Sequence, residues 1–306
     1  MKNEKIFLTG GAGFLGRNIV KKLHNYNEIT IYSRDESKHY YLQKEFPNVN
    51  FIIGDIRNRE LLIRESRGHT MGIFAASLKQ IEACAENYEE AIRVIIDGSI
   101  NSRLAAEENK FHSACFISTD KSRAATTLYG AMKFVAGEAF IAGNSACRLT
   151  TAIYGNVMNS TGSVIPLIWN YINNKKTLSL YGAEMTRFLL DVQDAIDLIL
   201  RSPNYTHCNI IPVAKSFKII DLFEIYAQEF GLKYTVSAPR TGEKIHEIMA
   251  SSEEIRRMEL KNDIYLLHPT KDINKLQFKN DEYSSKDCCY TKPELFKYLK
   301  AKNFYK

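Results

Sequence analysis

Lys5-Ile6-Phe7-Leu8-Thr9-Gly10-Gly11-Ala12-Gly13-Phe14-Leu15-Gly16 decides the fold. A short apolar run makes a strand, the glycines make a turn, and the amphipathic stretch through Leu23 makes a helix. Gly10 permits the tight turn, Gly13 lets the backbone approach a pyrophosphate, and Gly16 lets the helix pack on the strand. The helix N-terminus, opened by Phe14 and Leu15, faces the phosphate charge. A glycine fingerprint alone says little, but one at residue 10 with strand before and helix after specifies a dinucleotide site.

Moving outward, a second strand, Glu28-Ile29-Thr30-Ile31-Tyr32, ends in Ser33-Arg34-Asp35. An acidic residue at such a strand tip binds the ribose 2′-hydroxyl of NAD, whereas Ser33 and Arg34 suit a 2′-phosphate, so NADP is expected and NAD is the alternative. Asp35 and Glu36 pull the other way, because a shift of one residue would bring a carboxylate to the ribose. A third strand, Asn50 to Asp55, places Asp55, with Ile56 after it, at the adenine. A fourth, Met71 to Ala76, ends in Ala75 and Ala76, small enough for a cofactor to lie against the backbone, and Lys79 follows at the crevice mouth. A helix from about Tyr88 to Glu108 leads to a fifth strand, Ala114-Cys115-Phe116-Ile117. Strands and helices alternating at this spacing predict an α/β fold, a Rossmann-like doubly wound parallel sheet with a smaller C-terminal substrate-binding lobe. Residues 1–155 form the expected NADP-binding domain, completed by about 189–213; 156–188 and 214–306 form the lobe.

The fifth strand delivers Ser118-Thr119-Asp120-Lys121, and Tyr129-Gly130-Ala131-Met132-Lys133 comes shortly after. Ligands of parallel sheets bind beyond the carboxyl ends of the strands, so these groups face the crevice. Tyr129 and Lys133 stand at i and i+4 on one helix face, where an ammonium can stabilise a phenolate, and such a phenol is a general base for an alcohol. Tyr-x-x-x-Lys also occurs on ordinary helices, so the motif takes its weight from this context. Arg187, Arg240 and Lys244 are cations suited to a diphosphate; singly, each reads equally as a solvated surface charge.

The net charge of +6 arises from 41 basic residues interleaved with 35 acidic ones. Without a basic block, an anionic small substrate explains the excess better than nucleic acid. The six cysteines show no C-x-x-C spacing or Cys/His cluster, which points to reduced thiols, no metal and a cytoplasmic setting. The N-terminus enters a strand at once, leaving no room for a signal peptide. The uncharged run from Leu149 to Asn174 is too rich in Asn, Thr, Ser and Gly for a membrane span, so a soluble protein is expected.

The glycine fingerprint with Tyr129 and Lys133 resembles the extended short-chain dehydrogenase/reductase superfamily. More narrowly, Ser33 to Glu36, Ala75 to Gln80, Ser118 to Lys121, Tyr154 to Met158, Gly162 to Pro166, Glu184 to Phe188 and Gly242 to Glu247 resemble the inverting UDP-N-acetylglucosamine 4,6-dehydratases of polysaccharide and pseudaminic acid biosynthesis. Thr119-Asp120-Lys121 is the specific element, since retaining dehydratases usually carry Asp-Glu there. The resemblance implies that Tyr129, assisted by Lys133, deprotonates the sugar C4 hydroxyl while hydride passes to NADP. It further implies that Lys121 removes the C5 proton and Asp120 protonates the departing C6 hydroxyl, with Thr119 beside them. Lys79, Asn156, Val164, Arg187, Arg240, Glu243 and Lys244 would hold a UDP-sugar, and a homo-oligomer, dimer or hexamer, is expected. A lysine base must be neutral, whereas an adjacent carboxylate favours its ammonium form. The chain departs from the family pattern at Phe74, where a histidine is usual, at Ile153 and Thr161, where arginines are usual, and in lacking a proline between Lys121 and Thr127. These losses bear on the substrate more than on the chemistry. The competing readings are a nucleotide-sugar C4-epimerase or 4-ketoreductase on the same scaffold, and an inert NADP-sensing protein.

Overall fold

The computed structural model describes residues 1–273 and 280–305; residues 274–279 and 306, inside the expected second lobe, lie outside the described residues. Six strands follow one another from the N-terminus: β1 (Lys5–Thr9), β2 (Glu28–Ser33), β3 (Asn50–Ile53), β4 (Met71–Phe74), β5 (Ser113–Ile117) and β6 (Arg148–Ala152). They pair in parallel in the order β3-β2-β1-β4-β5-β6. The chain leaves β1 in one direction for β2 and β3, then returns to its other side at β4. Strand order therefore reverses between β1 and β4, and a crevice opens beyond their carboxyl ends.

Both faces of this sheet are apolar because both are covered. Ile6, Leu8, Ile31, Ile73 and Cys115 pack with Ile19, Val20 and Leu23 of the helix Phe14–Leu23 on one side. Phe7, Tyr32, Phe74 and Phe116 pack with Ala105 and Ala106 of the helix Gly98–Glu108 and with Met132, Ala136 and Phe140 of the helix Leu128–Ile141 on the other. Alternate residues of β1 thus serve opposite cores, as a strand period of two requires. The helix expected from Tyr88 to Glu108 has a π-helical turn at Arg93–Asp97, and Val94 of that turn reaches the crevice.

The second lobe contains β7 (Asn156–Val157), β8 (Thr177–Tyr181) and β9 (Thr186–Leu190); β10 (Cys208–Pro212) returns to the main sheet beside β6. β11 (Lys215–Lys218) completes a three-stranded sheet in the order β11-β9-β7, and β12 (Lys233–Ser237) pairs with β8. β13 (Ile248–Ala250) comes next. Within the stretch 214–306 expected in the lobe, β14 (Met258–Lys261) and β15 (Ile264–Leu267) extend the main sheet, β15 antiparallel to β10 and β14 antiparallel to β15. Apolar Ile264, Leu266 and Leu267 cover the edge that β10 would otherwise leave unpaired. β16 (Tyr283–Ser284) pairs with β13, and the helix Lys292–Ala301 closes the lobe on a core that includes Ile168, Leu180, Phe223 and Tyr226.

Arg123 locks the two parts together. Its side chain is 2% exposed and donates to Glu254 Oε1 at 2.7 Å, Glu138 Oε1 at 2.9 Å and Asn209 Oδ1 at 3.1 Å. A guanidinium fork suits this task, since one planar group reaches three acceptors on separate elements.

Candidate active site

A cleft of about 810 Å³ runs along the carboxyl ends of the parallel strands. Gly10, Gly13, Phe14, Leu15, Gly16, Ser33, Arg34, Asp55, Ile56, Ala75 and Ala76, the residues expected at a cofactor, all line it. Gly10 has φ +69°, and a Cβ there would come within 2.8 Å of Ala76 N, so only glycine allows β1 and β4 to end side by side. Gly13 is the N-cap of the helix Phe14–Leu23 and offers no side-chain acceptor, which leaves the first-turn amides for an anion. At the far end Arg57 grips Asp55 with its backbone amide at 2.9 Å and its guanidinium at 2.6 and 3.0 Å. Asp35 is turned to other work. It caps the helix Glu36–Glu45 by accepting from Lys38 N at 3.0 Å and pairs with Lys38 Nζ at 2.6 Å. Arg34, half exposed, lies 3.6 Å from Asp55 and 3.7 Å from Glu90. These features fit a dinucleotide.

The reacting end belongs to the same cleft, which Ser118, Thr119, Asp120, Lys121, Tyr129 and Lys133 also line. Thr127 starts the helix Leu128–Ile141 by accepting from Gly130 N at 3.2 Å, and the helix turns Tyr129 and Lys133 inward, each under 10% exposed. Gly130 sets the distance to the preceding loop: a Cβ on it would come within 2.3 Å of Lys121 O. Thr119 caps the turn Asp120–Ser122 and donates to Asp120 Oδ1 at 2.9 Å. Lys121 Nζ lies 3.3 Å from Asp120 Oδ1 and 3.0 Å from Glu247 Oε1.

The electrostatics follow from burial. Asp120, fully buried, is pushed above the ordinary carboxylate range by desolvation against the pull of Lys121. Desolvation would lower Lys121, but Asp120 and Glu247 outweigh it and hold the amine above its ordinary range, as an ammonium ion. Burial raises the Tyr129 phenol to about 12 and lowers the Lys133 amine to about 7. Besides burial, the charges of Lys121 and Asp120 act on the Tyr129 phenol. Lys133 Nζ donates to Ile117 O at 2.5 Å and lies 4.4 Å from the Phe116 ring centroid.

The expected substrate residues divide. Lys79 and Asn156 line the cleft, and Lys79 Nζ spans its mouth to Thr161 O at 2.6 Å. Val164 packs instead against the second-lobe core. Arg187, Arg240 and Lys244, expected at a diphosphate, are not among the residues that line the cleft. Arg187 is buried, donating to Thr186 O at 2.8 Å, Ile245 O at 3.2 Å and Glu243 Oε1 at 3.1 Å. Lys244 donates to Arg123 O, and Arg240 lies over the Tyr181 ring with Glu82 at 3.7 Å. Backbone carbonyls and carboxylates supplied by the fold already engage these cations. Tyr154, two residues past β6 and lining the cleft, and Glu247, in contact with Lys121, were not singled out by the sequence reading as site residues. Glu247 lay in the Gly242–Glu247 segment, but nothing local in that segment links it to a lysine 126 residues earlier. Among the described residues no group of three or more His, Cys, Asp or Glu side chains could hold a metal, and no helix is long and apolar enough to cross a membrane.

A family model described as polysaccharide biosynthesis protein matches residues 6–269. The chain belongs to this family. Within it, the chain is 36% identical over 268 residues to the UDP-N-acetylglucosamine 4,6-dehydratase (inverting) of Campylobacter jejuni, covering 83% of this chain and 80% of that one. It is 33% identical to the UDP-glucose 4-epimerase of Rickettsia akari, over 83% of this chain and 80% of that one. The X-ray structure of Pen from Bacillus thuringiensis superposes with a TM-score of 0.90 at 26% identity, covering 99% of both chains.

Proposed function

We propose that this chain is an inverting 4,6-dehydratase, a lyase of the extended short-chain dehydrogenase/reductase superfamily, acting on a UDP-N-acetylhexosamine, foremost UDP-N-acetylglucosamine. The observation that carries this reading is the close pairing of Asp120 and Lys121, Oδ1 to Nζ at 3.3 Å, set in one cleft with Tyr129 and the glycine turn. An enzyme that only moves hydride at C4 has no need of a second acid–base pair.

The residues divide the reaction. Gly10, Gly13, Ser33, Arg34, Ala75 and Ala76 would hold a nicotinamide dinucleotide, which would supply hydride transfer at C4 and C6 with no net change in oxidation state. Tyr129 takes the C4 hydroxyl proton, and the resulting ketone acidifies C5. Lys121, once deprotonated, takes the C5 proton. Asp120, whose burial favours the protonated form of its carboxyl, gives a proton to the departing C6 hydroxyl, so one water leaves across C5–C6. Delivery of a proton to the opposite face of C5 inverts that centre. For the cofactor, NADP is supported by Arg34, half exposed and lining the cleft just past β2, while Asp35 caps a helix.

The similarity to UDP-glucose 4-epimerase supports a second reading, in which the sugar returns with its C6 hydroxyl intact. Incubation with UDP-N-acetylglucosamine in deuterated water, followed by NMR, separates the two. The expected product is a 4-keto-6-deoxy sugar with deuterium at C5. A C4 epimer with an unchanged C6 group would overturn the dehydratase reading.

A further inference from the structure

Glu247 belongs to the second lobe, immediately before β13, yet its carboxylate ends beneath the loop that follows β5. Its side chain is 3% exposed. Oε1 lies 3.0 Å from Lys121 Nζ and 3.6 Å from Arg187 Nε, and Oε2, without a hydrogen-bond partner among the described residues, is 3.9 Å from Lys244 Nζ. The backbone is pinned as well: Glu247 N donates to Ser285 Oγ at 2.9 Å, and Ser285 N donates to Glu247 O at 2.8 Å. An ion buried to this degree is costly unless its partners require it.

We propose that Glu247 is a positioning residue for Lys121, the carboxylate through which the second lobe holds that amine toward the cleft and sets the pH above which it can act. This rests on Lys121 being the C5 base. The charged groups that act on Glu247 are Asp120 and Lys121 from the loop after β5, Arg187 from β9 and Lys244 from its own segment; Tyr129 faces Asp120 and Lys121, and Glu243 accepts from Arg187. Burial opposes the charge on Glu247, but Lys121, Arg187 and Lys244 prevail, and the carboxyl is held below its ordinary range. Removing that charge leaves Lys121 with Asp120 as its carboxylate partner and with Arg187 repelling it, so the ammonium must become easier to deprotonate. Glu247 does not line the cleft, so substrate affinity should hardly change.

The test is the pH dependence of C5–H exchange per turnover in deuterated water, using the full chain loaded with its cofactor. Glu247→Gln should move the limb that rises with pH toward lower pH by about one unit or more, the effect of one charge at contact distance. Glu247→Asp should leave the limb near that of the wild type, and the Michaelis constant should stay within about threefold in both, since binding contacts are untouched. A Glu247→Gln variant slowed by one factor at every pH, with the limb unmoved, would overturn the inference. In the unmutated protein the Lys121 ¹³Cε resonance, assigned by difference from Lys121→Arg, should titrate above the midpoint of free lysine. A midpoint at or below that value overturns the inference even if Glu247→Gln fails to fold. Lys121→Ala keeps the two readings apart: C5 exchange that survives it removes the base assignment itself, whereas lost exchange with an unmoved Glu247→Gln limb removes only the role of Glu247.

Discussion

Replacing Lys133 by methionine should make the ligand-free protein more stable and less active. The amine is 3% exposed, takes part in no ion pair among the described residues, and is lowered by burial from 10.5 to about 7. In the unfolded chain it keeps the ordinary value, so between pH 7 and 10.5 the unfolded state binds more protons and stability rises with pH. At about 1.4 kcal/mol per unit, burial of this group costs about 4 kcal/mol at pH 7 and about 2.5 kcal/mol at pH 8.5. Methionine matches the stem and removes the charge, while loss of the hydrogen bond to Ile117 O returns about 1–2 kcal/mol. Lys133→Met should therefore gain about 2–3 kcal/mol at pH 7, with the gap narrowing by about 1.5 kcal/mol at pH 8.5. Urea unfolding of cofactor-free protein, followed by far-ultraviolet circular dichroism between pH 7 and 8.5, measures both. This window lies below the titration of the buried thiols and phenols. A variant less stable at pH 7, or a gap that does not change with pH, would refute the assignment of Lys133 as a buried, unpaired amine.

Tyr129→Phe should slow formation of reduced nicotinamide by about 10²–10⁴-fold in single-turnover absorbance, as loss of a positioned acid–base group does. Lys121→Ala should still form reduced cofactor but accumulate it with a 4-keto sugar, without water loss; a raised Michaelis constant with unimpaired C5 exchange would make Lys121 a phosphate ligand instead. Arg34→Asp should weaken NADPH far more than NADH in fluorescence titration, by the roughly 1.5–3 kcal/mol of a charge-assisted contact, and equal weakening would deny it the 2′-phosphate. Gly130→Ala, which in an ordinary helix interior gains about 1 kcal/mol, should here lower the melting temperature and slow C5 exchange, because its Cβ would come within 2.3 Å of Lys121 O. A higher melting temperature with intact exchange would contradict the packing of that helix on the loop.

What could be read from sequence was whatever the backbone settles locally. The turn at Gly10, the tip of β2 at Ser33, the strand leading into Ser118 and the shared face of Tyr129 and Lys133 each depend on a few neighbouring residues, and each stands in the cleft as expected. Long-range contacts were not legible. Arg187 and Lys244 looked like free cations because their partners, Glu243, the Ile245 carbonyl and the Arg123 carbonyl, are set by the folding of the second lobe. β14 and β15 read as part of that lobe because an antiparallel edge strand carries no signature of the sheet it joins. The proposed acid–base pair was visible as Asp120-Lys121, but Glu247, which contacts Lys121, arrives from far along the chain, and a local spacing rule has no access to it.

The lock at Arg123 makes the architecture indivisible. Glu254 comes from the second lobe, Glu138 from a helix flanking the sheet and Asn209 from β10, so a cut that removed any one of them would strand charge in a dry interior. The two parts are consequently not interchangeable modules. A chimera that imported another family member's substrate lobe would have to bring a matching acceptor for this guanidinium, or the nucleotide half would melt along with its foreign partner. Cleft-lining residues such as Asn156 of β7 and Thr161 have no part in this joint.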